Sequence, residues 1–191
     1  VDQGMLLEKN GKKMWGYGGD WGPAGTPSDN NFNCNGLVSP DRVWNPQCYE
    51  VRRIYQNLDF SWDGVKSGLL SIHNGFFFRD LQDMKLIYTL YEDGLPVAEG
   101  TYSSLLAGPG EQVTIDLNKL GWSSGTNTRL RLDQLNPAHE YYLRVRAELL
   151  KDEGLLKAGT PLAWDEFQLT DTHPVVYKAS TSKISTMRND D

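Results

Sequence analysis

The sequence has little cysteine. Only Cys34 and Cys48 occur among its 191 residues, and two cysteines are too few to cross-link a fold. They also lack the C-x-x-C spacing of a zinc site. The preferred interpretation is two thiols without a catalytic role, and a disulfide between them remains open for an exported protein.

Positive charge and long apolar runs are scarce as well. The formal net charge of −6 argues against a nucleic-acid partner, because phosphate binding needs a basic stripe and none is visible. No stretch approaches the roughly 18 apolar residues of a membrane span, and no basic-then-apolar signal segment opens the chain. We therefore expect neither nucleic acid nor membrane among the partners.

Residues 1–47 differ in composition from the rest of the chain. They hold much of the glycine and asparagine, as in the runs 16–20 and 28–31, and this predicts turns rather than paired strands. The aromatic residues of this segment argue against simple disorder, since disordered segments are poor in aromatics. These residues are Trp15, Tyr17, Trp21, Phe32 and Trp44.

A short helix is predicted after Asn45-Pro46. Proline is favoured at the first position of a helix. Val51, Ile54 and Tyr55 then have the spacing of one helical face.

Apolar residues alternate with polar ones from about residue 57 onwards. Turn signals such as Asp63-Gly64, Asn74-Gly75 and Asp93-Gly94 separate the alternating segments. About seven strands are predicted, near 57–63, 68–74, 84–92, 96–103, 111–117, 140–150 and 162–170. Short strands at this spacing indicate a mainly β fold, an antiparallel β-sandwich of the immunoglobulin-like kind.

Three motifs occur in order within the first third of the chain. They are Val1-Asp2-Gln3, then the run Tyr17-Gly18-Gly19-Asp20-Trp21-Gly22, then Asp29-x-x-Phe32-x-x-Asn35-Gly36-Leu37-Val38 with Asp41-Arg42 after it. This ordered set resembles the last βα unit of the TIM barrel in glycoside hydrolase family 2 β-galactosidases. The chain departs from the family pattern at Trp21, where phenylalanine is usual, and in the middle of the Phe32–Asn35 motif.

The resemblance implies a division of the chain. Residues 1–56 would be the C-terminal remnant of the barrel, with an active-site loop and the last helix. Residues 57–171 would be the immunoglobulin-like sandwich, and 172–191 a linker towards a further domain. The first residue, Val1, is not methionine, which is a weak indication of excision from a longer protein.

The activity implied by the resemblance is hydrolysis of terminal β-D-galactosides with retention. Retaining enzymes use two carboxyl groups, which this family carries on earlier barrel strands, so the fragment is expected to be inactive alone. Acid pairs such as Glu92-Asp93 and Asp165-Glu166 point to opposite faces of a strand and cannot converge on one bond. The implied partners are the β-galactoside, the remaining domains and further copies of a homo-oligomeric enzyme, cytoplasmic or periplasmic in a bacterium.

Metal and sugar ligands are also implied by the resemblance. In the family, the Phe32 position offers a backbone carbonyl and the Asn35 position a side-chain carbonyl to a sodium ion that touches the galactosyl unit. A carboxylate ligand comes from earlier in the chain, so the site would be half built. Magnesium is expected in the enzyme, with no ligand in this fragment. The alternative is that Phe32 anchors an apolar cluster and Asn35-Gly36 forms an ordinary turn.

Two other functions remain open for the sandwich. Its aromatic runs Phe76-Phe77-Phe78 and Tyr141-Tyr142 are compatible with a carbohydrate-binding module, which requires coplanar exposed rings. The sandwich is otherwise a purely structural spacer whose phenylalanine run docks on another domain. His73, His139 and His173 are scattered without the spacing of metal ligands.

Overall fold

The structure, a computed structural model, describes residues 2–28, 35–124 and 130–171. The chain begins with an antiparallel hairpin of β1 (Met5–Lys9) and β2 (Lys12–Gly16). Asn10 and Gly11 connect the strands, and their φ angles of 55° and 71° are those of a tight turn that matches strand twist. The expectation of turns without paired strands in residues 1–47 is therefore wrong for residues 5–16. Both strands are largely exposed, so no apolar alternation marks them in the sequence.

The predicted helix is present as α1, Pro46–Ile54. Asn45 precedes it in an extended conformation and Pro46 occupies its first turn, as expected for a residue without a backbone N–H. A single turn of 3-10 helix, Gly18–Trp21, lies between the hairpin and α1. None of the helices in the described ranges has the length and apolar character needed to cross a membrane.

All seven predicted strands are present in the sandwich. An additional two-residue strand, β8, lies between the fifth and sixth of them. The strands are β3 Leu58–Trp62, β4 Leu69–Asn74, β5 Met84–Glu92, β6 Leu95–Tyr102, β7 Gln112–Asp116, β8 Ser123–Ser124, β9 Tyr141–Leu149 and β10 Pro161–Gln168. They form a three-stranded sheet in the order β3-β4-β7 and a five-stranded sheet in the order β10-β9-β5-β6-β8, with antiparallel pairing throughout. The predicted antiparallel β-sandwich is confirmed.

The core lies between the two sheets. The three-stranded sheet contributes alternate residues such as Leu58 and Phe60 of β3, and the five-stranded sheet contributes alternate residues such as Leu143 and Val145 of β9. Strand β5 lies in the middle of its sheet and is buried along most of its length. Burial of these apolar side chains is the main stabilising contribution to the fold, at about 25 cal/mol per Å² removed from water.

Helix α1 contacts β10, an edge strand of the larger sheet, through the side chains of Arg52 and Arg53. The described part of the chain contains no barrel, and the assignment of residues 1–56 to the end of one stays a prediction. The linker predicted at 172–191 lies outside the described residues, as does Phe32.

Candidate functional site

The Asn35–Gly36 turn lies at the N-terminal side of α1. Asn35 is exposed. Its side-chain amide has no hydrogen-bond partner within the described ranges, whereas both the N–H and the carbonyl of the neighbouring Gly36 are hydrogen-bonded. The other predicted ligand, Phe32, falls in the part of the chain that the structure does not describe.

The backbone of Gly36 is held from both sides. Its N–H donates to both carboxylate oxygens of Asp2, at 2.9 Å and 3.0 Å. Its carbonyl accepts from Asn45 Nδ2 at 2.6 Å and from Gln47 Nε2 at 2.8 Å. Gln47 and Asn45 lie at the start of α1, so the helix fixes one side of the turn and Asp2 fixes the other.

Asp2 is itself fixed by the strand-like segment beside it. Its N–H donates to the carbonyl of Val38 at 2.7 Å, and Val38 is paired with Trp44 by an isolated β-bridge. A Cβ atom added to Gly36 would lie 2.7 Å from Asp2 Oδ1, closer than such atoms approach in proteins. Gly36 is therefore required by the close approach of the Asp2 carboxylate.

The run Tyr17–Gly22 forms a second turn whose conformation is fixed by side-chain hydrogen bonds. The Asp20 carboxylate accepts from the Tyr17 N–H at 3.0 Å and from the Ser28 hydroxyl at 2.9 Å. These two hydrogen bonds lower the pKa of Asp20, the Tyr17 N–H contributing most. A Cβ atom on Gly19 would lie 1.9 Å from the Pro27 carbonyl oxygen. The glycine and aspartate of this motif thus hold residues 27–28, which lead into the segment containing Phe32.

Helix α1 and the residues just after it connect the turn to the sandwich. The Arg52 guanidinium lies between two indole rings, 5.9 Å from the Trp44 centroid and 5.2 Å from that of Trp164 in β10. It also donates to the carbonyl of Pro161. The side-chain oxygen of Gln56 accepts a hydrogen bond from the backbone N–H of Trp164 at 3.0 Å. The backbone of the candidate site is therefore connected to β10 by one continuous set of contacts.

Comparison with known proteins assigns the family. Residues 70–170 match the family described as β-galactosidase, domain 4. The chain belongs to this family. It is 33% identical to a β-galactosidase of Aeromonas hydrophila subsp. hydrophila over 164 residues, which are 85% of this chain and 16% of that protein. A protein named β-galactosidase 2 of Enterobacter cloacae is 28% identical over 100% of this chain and 17% of its own length. A β-galactosidase of Streptococcus thermophilus is 37% identical over 119 residues, 62% of this chain and 11% of that protein. The chain thus spans about one sixth of the length of the first two relatives.

The acid pairs of this β-galactosidase domain are engaged with separate cations. Asp152 pairs with Lys157 at 2.7 Å. Asp165 pairs with Arg53 at 2.9 Å, and its neighbour Glu166 pairs with a different arginine. Each of these carboxylates already has a structural partner within the chain.

A cluster that the sequence analysis did not predict lies at the β5–β6 turn of the domain. His139 Nδ1 is 2.6 Å from Asp93 Oδ2 and 3.5 Å from Glu92 Oε1. The other oxygen of Asp93 accepts from the Glu140 N–H at 3.0 Å. The hydrogen bond that the His139 ring donates to Asp93 raises the pKa of His139, and the same bond lowers that of Asp93. These contacts join the β5–β6 turn to the start of β9. They explain why the three side chains lie together without requiring a bound ligand.

The phenylalanine run of the domain is split between core and surface. Phe76 packs against the core, whereas Phe77 and Phe78 are 86% and 99% exposed. The two exposed rings have centroids 6.3 Å apart and planes inclined by 45°. In the second aromatic run, Tyr141 is buried and Tyr142 half-buried. The exposed pair therefore lacks the coplanar arrangement expected of a sugar-stacking surface.

Proposed function

We propose that this chain is the part of a β-galactosidase that supplies one loop of the sugar pocket and a structural sandwich. The enzyme hydrolyses terminal β-D-galactosides with retention of configuration. The Asn35–Gly36 turn is the observation that carries the proposal. Its backbone is held by Asp2, Asn45 and Gln47, while the Asn35 amide faces solvent without a partner in the described ranges. A fixed backbone that presents a free polar group is suited to binding a ligand.

Sodium is the proposed ion at this turn. Hard cations take oxygen ligands, and neutral carbonyl oxygens suit a singly charged ion. The Asn35 side-chain carbonyl fits this chemistry, with the Phe32 carbonyl as a second ligand and a carboxylate from elsewhere in the enzyme as a third. Bound sodium supplies a positive charge that contacts the galactosyl unit. Magnesium belongs to the rest of the enzyme in this proposal and takes no ligand from this chain.

The catalytic carboxylates are proposed to come from another part of the enzyme. A retaining glycosidase needs two carboxyl groups about 5–5.5 Å apart on either side of the scissile bond. The adjacent acids Asp152-Glu153 and Asp165-Glu166 instead form separate ion pairs. The chain alone is therefore proposed to be inactive.

The sandwich is proposed to be an immunoglobulin-like spacer that docks on other domains of a homo-oligomeric enzyme. Strands β3, β4 and β7 share one sheet and β5, β6, β9 and β10 share the other. Seven main strands in two antiparallel sheets are the architecture of immunoglobulin-like sandwiches, with the fourth strand, β6, placed in the sheet of β5, β9 and β10. Phe77 and Phe78 provide an exposed apolar surface suited to docking. Their tilted rings favour this role over a carbohydrate-binding module.

The test replaces Asn35 by alanine in the full-length enzyme. We expect the sodium concentration that gives half-maximal activity to rise about 10-fold or more, because one ion ligand is lost. The exposed Asn57 is the matched control, and Asn57→Ala should leave the sodium dependence unchanged. An unchanged sodium dependence in Asn35→Ala would refute the assignment of this turn. Separately, the purified 191-residue chain should not turn over a chromogenic β-galactoside, and measurable turnover would disprove its inactivity.

A further inference from the structure

The peptide group between Asn35 and Gly36 is contacted on both of its polar atoms. Its N–H donates to the Asp2 carboxylate at 2.9 Å and 3.0 Å. Its oxygen, the carbonyl of Asn35, lies 3.5 Å from Gln47 Nε2, and the same nitrogen donates to the next carbonyl at 2.8 Å. A peptide group is planar. Contacts to its N–H and to its carbonyl oxygen, at opposite edges of the plane, therefore limit rotation about the Asn35 Cα–C bond.

This restriction determines where the Asn35 side chain is presented. The backbone angles of a residue set the direction of its Cα–Cβ bond and limit its rotamers. Asp2 and Gln47 leave the side-chain amide of Asn35 untouched. They act on the backbone alone, so they can orient the amide without occupying it.

We propose that Asp2 and Gln47 are positioning residues that orient the Asn35 side chain towards its ligand. The proposal rests on the proposed function of Asn35. Asp2 holds the peptide from the N-terminal segment, and Gln47 holds it from α1. Because α1 is connected to β10 through Arg52, the sandwich contributes to the orientation of a residue in the sugar pocket. The Gly36 hydrogen atom provides the space that the Asp2 carboxylate needs.

The test is a double-mutant cycle in the full-length enzyme with sodium binding as the readout. Binding is measured by ²³Na NMR relaxation in competition with potassium, and KM and kcat are measured at limiting and saturating sodium. We expect Asp2→Ala and Gly36→Ala each to weaken sodium binding about 10-fold, as is usual for residues that orient a metal ligand. The KM at limiting sodium should rise, with kcat at saturating sodium and substrate changed less than about two-fold.

The effects of Asp2→Ala and Gly36→Ala on sodium binding should not add. Gly36→Ala acts by displacing Asp2, so it should have little further effect in the Asp2→Ala background. Asp2→Asn keeps one acceptor oxygen and should recover part of the binding. Glu50→Ala, which removes an exposed carboxylate of α1 that has no hydrogen bond or ion pair within the described ranges, is the control with no expected effect. If Asp2→Ala yields no soluble enzyme, Gln47→Ala carries the same expectation, since it removes only contacts to carbonyl groups.

The outcomes separate this inference from the proposed function. If Asp2→Ala and Gln47→Ala lower the melting temperature but leave sodium binding unchanged, while Asn35→Ala weakens it, the positioning role is wrong and the proposed function stands. If Asn35→Ala also leaves sodium binding unchanged, the proposed function itself is wrong. Additive effects of Asp2→Ala and Gly36→Ala would likewise contradict the positioning role.

Discussion

At the scale of single residues, the pair of His139 and Asp93 contributes to the stability of the fold over a defined pH range. The pKa of His139 is raised, so its contribution to stability is complete below the ordinary value of 6.5 and is lost as pH rises through the raised value. The pKa of Asp93 is lowered, so its contribution is complete above 3.8 and is lost as pH falls through the lowered value. The pair is therefore fully formed from about pH 4 to pH 6.5.

Replacement of His139 by glutamine tests this range. We expect the melting temperature of His139→Gln to lie furthest below that of the wild type between about pH 4 and pH 6.5. The difference should shrink as pH rises, because the wild-type imidazole loses its proton. Asp93→Asn should show the same trend, and combining the two changes should add little. A difference that stays constant from pH 5 to pH 9 would contradict the pairing.

Contacts between residues far apart in the sequence could not be predicted from the sequence. Asn35 was selected through the motif around it, but the partners of the adjacent peptide were not predicted. Asp2 and Gly36 are 34 positions apart, and their contact depends on the path of the intervening chain. His139 was considered isolated for the same reason. Its contact with Asp93 requires the end of β5 to lie beside the start of β9.

At the scale of elements, Arg52 joins α1 to β10 through ring and hydrogen-bond contacts, and Arg53 adds an ion pair to Asp165 of the same strand. Arg52 contacts the rings of Trp44 and Trp164 and the carbonyl of Pro161. We expect Arg52→Ala to destabilise the chain by about 1–2 kcal/mol and to speed amide hydrogen exchange in α1. Urea unfolding and exchange mass spectrometry measure the two effects. Arg53→Ala is the control, since its ion pair with Asp165 is partly exposed and contributes about 0.5 kcal/mol. Equal effects of the two changes would contradict the special role of Arg52.

Strands with a buried face were predictable, and the exposed strands of the first hairpin were not. The strands of the sandwich alternate because one face of each contacts the core, and this alternation is visible in β3 and β9. The hairpin β1–β2 has little buried surface, so its residues carry no such signal. Its only local indication was the Asn10-Gly11 pair, which is typical of hairpin turns. The glycine and asparagine content of this region favoured the prediction of irregular turns instead.

At the scale of the whole molecule, replacement of the exposed pair Phe77 and Phe78 should affect the isolated chain and the full-length enzyme differently. Both side chains are almost fully exposed, so replacing both by alanine should change the stability of the isolated chain by less than about 0.5 kcal/mol. In the full-length enzyme the same change should lower the melting temperature or weaken assembly, because the proposed apolar contact between domains would be lost, and KM should stay unchanged. Leu95→Ala, at the opposite end of the sandwich, is the control. A rise in KM alone would contradict the docking role.

The contact of α1 with β10 also protects the sheet from association with other chains. An outermost strand carries unpaired N–H and C=O groups on its free side, which makes it a template for pairing with another molecule. The Gln56 side chain accepts a hydrogen bond from the backbone N–H of Trp164, and the Arg52 side chain donates one to the carbonyl of Pro161. A sandwich excised at residue 57 would lose both side chains and gain an open β edge. We therefore expect the preceding segment to limit association through this edge, a role independent of its proposed contribution to the sugar pocket.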